Sequence, residues 1–146
     1  MAKNKYNARK VVVDGITFDS KVEAQYYLYL KELKEKGKVL DFQLQPQHLL
    51  QEEYINTEGK KIRPIYYIAD FLVTYKDGTQ EVIDIKGKPT PKAKLKKKLF
   101  EYKYKIPLLW IVYVAKRGGW LLYEENERLK REEKKAKKVD KEELDS

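Results

Sequence analysis

The sequence predicts an α/β fold built on one mixed β-sheet, in which an N-terminal helix and antiparallel strands precede a parallel strand–helix–strand crossover. Three observations predict it. Two helical segments carry start and stop signals, two apolar strands are joined by the tight turn Lys76-Asp77-Gly78, and an apolar run at residues 108–114 follows the second helix. A chain of 146 residues with 42% hydrophobic residues is long enough to bury one core.

The first elements are predicted to be a hairpin and a helix. Residues 9–13 and 16–18 flank Asp14-Gly15, a dipeptide typical of two-residue hairpin turns. Ser20 is a favoured N-cap, and the helix that follows it is predicted to continue to Gly37, a residue that often stops helices.

The middle of the chain is predicted to be mostly extended. Residues 39–50 form one extended segment, which Pro46 interrupts because proline cannot donate a ladder hydrogen bond. Residues 51–63 are polar and predict a loop or a hairpin tip around Glu58-Gly59. Residues 65–75 are rich in aromatic and β-branched side chains and predict one long strand.

The crossover is predicted after this strand. Residues 80–86 return antiparallel to it, and Thr90-Pro91 begins a helix that ends near Tyr104. Residues 108–114 then form a strand parallel to residues 80–86, since such crossovers are right-handed, and a turn leads into a last strand at residues 120–123. Three apolar side chains are predicted to mark the buried face of the crossover helix: Leu95, Leu99 and Tyr102.

Composition bounds the domain organisation and the kinds of site. We expect one domain at residues 9–123, a flexible basic arm at residues 1–8, and a charged tail, helical or disordered, at residues 124–146. The absence of Cys excludes disulfides and thiolate metal sites, and the lone His48 excludes multi-histidine zinc sites. No apolar run approaches the ~18 residues of a membrane span and no signal peptide is present, so we expect a cytoplasmic protein without a membrane partner.

The positive charge of the chain is concentrated in one segment. The formal net charge is +9, and residues 86–105 contain nine lysines but one acidic residue. Such a cluster favours a phosphate backbone, and DNA is the expected partner; a solvated lysine-rich helix face is the alternative. The predicted phosphate contacts are Lys88, Lys92 and Lys94.

Two aspartates interrupt apolar strands, and a lysine follows one of them. The pattern acid-any-lysine occurs seven times, but only Asp84-Ile85-Lys86 lies in an apolar strand. Asp70 interrupts the preceding strand. A three-residue loop at Lys76-Asp77-Gly78 would pair Asp70 with Asp84 on one face, with Lys86 on the same face, whereas a two-residue loop would separate the acids. We expect the three-residue loop.

Two carboxylates that face each other on neighbouring strands destabilise a hairpin unless something neutralises them. A hard divalent cation does so, because Mg²⁺ binds one or two carboxylates and water. The alternative is a salt bridge between Lys86 and one of the acids.

A third acid, Glu23, lies at the third helical position after Ser20, where it matches a capping box. It also borders an apolar stripe of that helix and could point towards the aspartates; the two roles are compatible. The stripe comprises Val22, Tyr26, Leu30 and Leu33.

The order of these residues resembles the PD-(D/E)XK nuclease superfamily. An acid on a helix (Glu23) precedes an isolated Asp70, then Asp84-Ile85-Lys86, a basic helix and another strand. The opening Phe18-Asp19-Ser20-Lys21-Val22-Glu23 is similar to small phage and prophage nucleases and to transposon-end endonucleases, and archaeal Holliday junction resolvases share the arrangement. The resemblance covers about residues 9–115. It departs from the family where Ala69 replaces the name-giving proline.

The resemblance implies a restriction-endonuclease-like core and a Mg²⁺- or Mn²⁺-dependent endonuclease. Asp70, Asp84 and the Ile85 carbonyl would ligate the metal with help from Glu23, and Lys86 would assist the attacking water. Two residues that flank Pro46 could support the metal or touch the DNA backbone, with simple edge-strand polarity as the alternative: Gln45 and Gln47.

Small size and strong basicity favour structure-selective cutting of branched DNA, Holliday junctions included, and the resemblance implies a phage or mobile-element origin. Paired incisions imply a homodimer, for which strand edges near Trp110 and Trp120 are one candidate interface and core packing the alternative use. A second hypothesis is a nuclease-fold protein that binds DNA without cutting it, and a third is a replication or assembly accessory that binds a partner through its charged tail.

Overall fold

The computed structural model describes residues 9–145, so the predicted arm at residues 1–8 lies outside the described residues. The helices are α1 (Lys21–Glu35), α2 (Pro91–Tyr104) and α3 (Tyr123–Asp145). The strands are β1 (Val11–Val13), β2 (Ile16–Phe18), β3 (Asp41–Leu44), β4 (Gln47–Gln51), β5 (Tyr54–Ile55), β6 (Lys61–Ile62), β7 (Ile65–Ile68), β8 (Phe71–Thr74), β9 (Gln80–Ile85), β10 (Leu108–Val114) and β11 (Gly119–Leu122).

The main sheet is mixed in orientation, and with three helices it confirms the prediction of a mixed α and β architecture. Its strand order is β11-β10-β9-β8-β3, in which only β9 and β10 run parallel. The connection from β9 to β10 is α2, so the predicted crossover is present. Three short antiparallel pairs complete the strands: β1–β2, β4–β7 and β5–β6.

Helix α1 covers one face of the sheet and forms there as the sequence predicts. Ser20 caps it by accepting a hydrogen bond from the Glu23 N–H at 3.2 Å, and Gly37 ends it with φ of +75°. Within the predicted apolar stripe, Tyr26 and Leu30 are buried and Leu33 packs against the core, but Val22 is partly exposed. The hairpin β1–β2 packs on the same core through Phe18.

Helix α2 covers the other face, and the predicted buried face of this helix is wrong. Phe100 is completely buried, against Tyr67 and Tyr104. The predicted stripe is exposed instead: Leu95 (59%), Leu99 (44%) and Tyr102 (85%). Tyr102 lies about 200° around the helix from Phe100, so both cannot face the sheet, and the sheet is covered by the Phe100 side. These three apolar side chains are therefore exposed to solvent on the lysine-rich helix α2.

The predicted long strand at residues 65–75 is also wrong, because it breaks into β7 and β8. Ala69 and Asp70 lie between the two strands, opposite a matching break at Gln45-Pro46 between β3 and β4. The breaks are tied together by the Gln45 N–H, which donates to the Asp70 carbonyl at 2.9 Å, and by the Ala69 N–H, which donates to the Pro46 carbonyl at 3.3 Å. Pro46 cannot donate a ladder hydrogen bond, and Gln45 adopts φ of +47°. The chain therefore bends between β3 and β4 at the same place in the sheet where it bends between β7 and β8.

Helix α3 follows directly from the last strand and is helical as far as Asp145. Its first turns pack against the sheet edge, where buried Asn126 accepts a hydrogen bond from Arg117 and Glu133 forms a salt bridge with the same guanidinium. Trp110 is buried in the core and Trp120 packs edge-on against Tyr26, so both tryptophans serve core packing. No helix within residues 9–145 is long and apolar enough to cross a membrane.

The packing of α2 yields a stability prediction. Phe100→Ala should lower the free energy of unfolding by about 3–5 kcal/mol, because it removes a fully buried ring and leaves a cavity in its place. Leu99→Ala, its neighbour on the exposed side, should cost less than about 1 kcal/mol. Urea unfolding of both variants measures this, and equal losses would contradict the packing described here.

Candidate functional site

Asp84 lies in the middle of the sheet, where a carboxylate is costly to bury. It belongs to β9, which is flanked by β8 and β10, and only 4% of the residue is exposed. Side chains alternate along the strand, so that Ile83 packs in the α1 core and Val82 in the α2 core. Asp84 therefore faces α2, and it must find hydrogen-bond partners there.

The register between β8 and β9 is the one that a three-residue loop predicts, and it brings Asp70 beside Asp84. The Tyr75 N–H donates to the Thr79 carbonyl at 2.9 Å across the turn, and Phe71 pairs with Ile83. The register continued by one residue pairs Asp70 with Asp84.

The two aspartates bind each other's strand at the break after β7. The Asp70 N–H donates to Asp84 Oδ1 at 2.9 Å, and the Ile85 N–H donates to Asp70 Oδ2 at 2.8 Å. The Asp70 N–H is shared between Asp84 and the Ile83 carbonyl, which accepts from it at 3.2 Å, whereas the Asp70 carboxylate supplies an acceptor for the Ile85 N–H.

Tyr67 also belongs to this site, although the sequence did not indicate it. The Tyr67 hydroxyl donates to Asp84 Oδ2, and the Trp110 indole N–H donates to the same hydroxyl oxygen at 3.2 Å. This chain of buried hydrogen bonds fixes the Asp84 carboxylate from the side opposite Asp70. Tyr67 stands in a run of aromatic residues typical of core strands, and no local sequence signal distinguishes it from its neighbours.

Glu23 reaches the same cluster from the start of α1. Burial and the neighbouring charge of Asp19 raise the pKa of Glu23, and the charges of Asp84 and Lys86 act on it as well. Its carboxylate also takes part in a backbone hydrogen bond with Asp19. The Glu23 N–H thus bonds to the Ser20 cap while the Glu23 carboxylate bonds to the Asp19 backbone and lies within the electrostatic reach of Asp84 and Lys86.

The acids of the site are close enough to disfavour each other's ionisation. Burial, the charge of Asp84 and the charge of Glu23 raise the pKa of Asp70 to about 7. Burial raises the pKa of Asp84, although the hydrogen bond from Tyr67 and the charge of Lys86 oppose the shift. All four predicted catalytic residues thus act on one another electrostatically.

Lys86 remains free of the salt bridge that was the alternative role for it. Within residues 9–145 no carboxylate lies within salt-bridge distance of its ammonium group, although its charge acts on Asp70 and Asp84. The positive charge of Lys86 is therefore not neutralised by a salt bridge with a neighbouring acid.

Two cavities flank the aspartates, and they differ in charge. We call the first the acidic cavity; it measures about 130 Å³, and its polar lining residues are Thr17, Glu23, Gln45 and Asp70. We call the second the basic cavity; it measures about 210 Å³, and its lining residues are Tyr67, Ile68, Asp84, Lys86, Thr90, Lys92, Ala93 and Lys96. The aspartate pair thus stands between an acidic and a basic recess.

The other predicted site residues divide between these cavities and open surface. Gln45 and Gln47 are both exposed, but only Gln45 lines the acidic cavity. Lys92 lines the basic cavity, whereas Lys88 and Lys94 are exposed and line neither cavity. Lys96, which was not among the predicted phosphate contacts, lines the basic cavity too.

The side chains of this site could bind a hard cation only if water or a substrate supplied further ligands. Among residues 9–145, no three carboxylate or imidazole side chains form a group that could hold a metal ion. Two carboxylates with raised pKa values stand together, however, and Mg²⁺ characteristically binds one or two carboxylates and completes its shell with water or substrate phosphate. The residues present therefore fit Mg²⁺ or Mn²⁺ better than a metal that needs a full protein cage.

A comparison with protein families found one match. A family model described as "Protein of unknown function (DUF1064)" matches residues 3–119, which include all of the site residues described above. Neither a curated protein nor a solved structure matched the chain.

The raised pKa of Asp70 yields a prediction about stability and pH. Asp70 has a pKa of about 7 in the folded chain and about 4 when unfolded, so the folded state binds more protons between these values. Stability should therefore fall as pH rises from 5 to 8, by up to about 3 kcal/mol from this group. Asp70→Asn, whose amide oxygen can still accept from Ile85, should remove most of this decline in thermal melts with EDTA.

Asp77→Asn is the matched control. Hydrogen bonds from Thr79 lower the pKa of Asp77, so this exposed acid is ionised throughout that pH range in both states. Its substitution should leave the decline unchanged, and an unchanged decline in Asp70→Asn as well would contradict the assignment.

Proposed function

We propose that this chain, which belongs to the DUF1064 family, is a metal-dependent endonuclease that hydrolyses phosphodiester bonds in DNA. The observation that carries the proposal is the pair of buried Asp84 and half-buried Asp70, coupled electrostatically to Glu23 and Lys86. Raised pKa values in a cluster of acids beside a cavity are typical of functional sites, since folding alone gains little from such an arrangement.

We propose the restriction-endonuclease-like topology as the fold. The order α1, β8, β9, α2 and β10 supports it, with the acids on α1, before β8 and in β9. The resemblance to the PD-(D/E)XK superfamily adds to this, because Glu23, Asp70, Asp84 and Lys86 stand where that pattern requires them.

Asp70, Asp84 and the Ile85 carbonyl would hold Mg²⁺ or Mn²⁺, and Glu23 would contribute directly or through water. When bound, such an ion supplies Lewis acidity and a water of lowered pKa, which phosphodiester hydrolysis needs near neutral pH. The hydrogen bonds from Tyr67 and from the Asp70 N–H keep the Asp84 carboxylate oriented, so that it does not reorganise during the reaction.

Lys86 would act on the substrate phosphate. Its ammonium group has no carboxylate partner within residues 9–145 and lines the basic cavity beside Asp84. A fixed positive charge there stabilises the negative charge that develops on the phosphate oxygens, and it can also orient the attacking water. Glu23, on the opposite side of the aspartates, offers a carboxylate that can accept a proton because burial raises its pKa.

We propose branched DNA, Holliday junctions included, as the preferred substrate, and a homodimer as the cutting form. The chain is small and strongly basic, with a formal net charge of +9, and the lysines of α2 lie beside the site. Phosphate contacts of this kind give affinity without reading sequence, which suits recognition by shape.

The second candidate function is a nuclease-fold protein that binds DNA without cutting it. The complete set of Asp70, Asp84 and Lys86 argues against it, because a binding module gains nothing from buried acids beside an anionic ligand. The two functions differ in one measurable property, which is cutting that depends on a divalent cation.

Cleavage assays test the proposal. With Mg²⁺ or Mn²⁺, the chain should cut supercoiled plasmid and four-way junctions, and Asp84→Asn or Lys86→Ala should lower the rate by about a hundredfold or more without abolishing DNA binding. Lys98→Ala removes an exposed lysine of α2 and serves as the charge control, with little loss of rate. Normal cutting by both site variants would refute the assignment, and DNA binding without cutting under either metal would favour the second candidate.

A further inference from the structure

The lysines of the basic segment are not equivalent in the fold. Lys97 forms a salt bridge with Glu101 at 2.9 Å and lies over the Trp110 ring, so its charge is already matched. Lys94 and Lys98 are exposed on α2. Lys86 and Lys96, which are partly buried, and Lys92, which is exposed, line the basic cavity.

Within the basic cavity, positive charge exceeds negative charge. Its lining carries three lysines and one carboxylate, Asp84, and Asp84 already accepts hydrogen bonds from Tyr67 and Asp70. None of the three lysines forms a salt bridge with any carboxylate of residues 9–145. Like charges that converge in a recess repel each other, and a bound anion relieves the repulsion.

The cavity also holds one ammonium group in place before any ligand arrives. Lys96 Nζ donates to the Tyr66 carbonyl at 3.1 Å, which spans from α2 to β7 and leaves two N–H donors for a ligand. Thr90 Oγ1 accepts from the Ala93 N–H at 3.1 Å, so its own proton remains available for donation. A fixed ammonium group and a hydroxyl donor on one wall suit the oxygens of a phosphate.

We propose that the basic cavity is a phosphate-binding site in which Lys92, Lys96 and Thr90 hold one phosphate of a DNA strand. The inference rests on the proposed function, and it assigns to this site the phosphate next to the one that lies at Asp84 and Lys86. Ile68, half of which is exposed at the mouth, offers an apolar surface to the attached sugar. The phosphate belongs either to the interior of the strand or to its end.

Binding of single-stranded DNA without metal tests the site. A fluorescein-labelled strand of about 12 nucleotides is titrated with the chain in EDTA, and anisotropy gives Kd across a series of salt concentrations. Lys92→Gln/Lys96→Gln should raise Kd about tenfold. It should also reduce the slope of log Kd against log salt concentration by about 0.7 for each phosphate that the variant no longer neutralises. The control Lys98→Gln/Lys103→Gln removes the same charge from exposed positions of α2 that do not line the cavity, and it should raise Kd less than about threefold.

Strands with a 5′-phosphate, a 3′-phosphate or neither distinguish the two sources of phosphate. A terminal phosphate should tighten binding to the wild-type chain and not to Lys92→Gln/Lys96→Gln if the site takes strand ends. Equal affinity of the three strands, with the Lys92 and Lys96 dependence retained, assigns the site to an internal phosphate.

Equal losses in the two double variants would overturn the inference, because the lysines would then act only as a diffuse charge; so would a wild-type chain that does not bind the strands. Thermal melts exclude unfolding as the cause of any loss. Selective dependence on Lys92 and Lys96 in a chain that cuts no DNA would support the phosphate site and contradict the proposed function, so the two claims fail separately.

Discussion

The contact between Asp70 and Asp84 is the constraint on which the site depends. Each aspartate accepts a backbone hydrogen bond from the other's strand, at the one point where β7 bends away from β8. The Asp70 carboxylate accepts from the Ile85 N–H, and the Asp70 N–H is shared between the Asp84 carboxylate and the Ile83 carbonyl. The same contact holds two like charges together in the interior, which opposes folding as both ionise. The fold therefore carries a local electrostatic repulsion, which a bound cation would relieve.

Charge is distributed around this pair so that its two sides differ. The acidic cavity, with Glu23 and Gln45, lies on one side, and the basic cavity, with three lysines, lies on the other. A cation and a phosphate can therefore be held next to each other, with the aspartates between them. Under the proposed function, each of these ligands would relieve a repulsion that the free chain retains.

Much of this could be predicted from local sequence, because local chemistry determines it. The turn at Lys76-Asp77-Gly78 defines the register of β8 and β9, and the register brings Asp70 to Asp84. The face of α2 could not be predicted, since lysines surround several apolar positions and only the shape of the core selects Phe100. Tyr67 could not be predicted either, because its partners Asp84 and Trp110 are distant in sequence and meet only in the folded sheet. The break before Asp70 depends in the same way on a second break at Gln45-Pro46.

The claim that Asp70 and Asp84 share one cation is tested most directly by the binding of Mn²⁺, followed by electron paramagnetic resonance of the free ion. We predict one Mn²⁺ site per wild-type chain, an affinity at least about tenfold weaker in Asp70→Asn and in Asp84→Asn, and no change in Asp77→Asn. Equal Mn²⁺ affinity in the wild-type chain and in both site variants would contradict the claim.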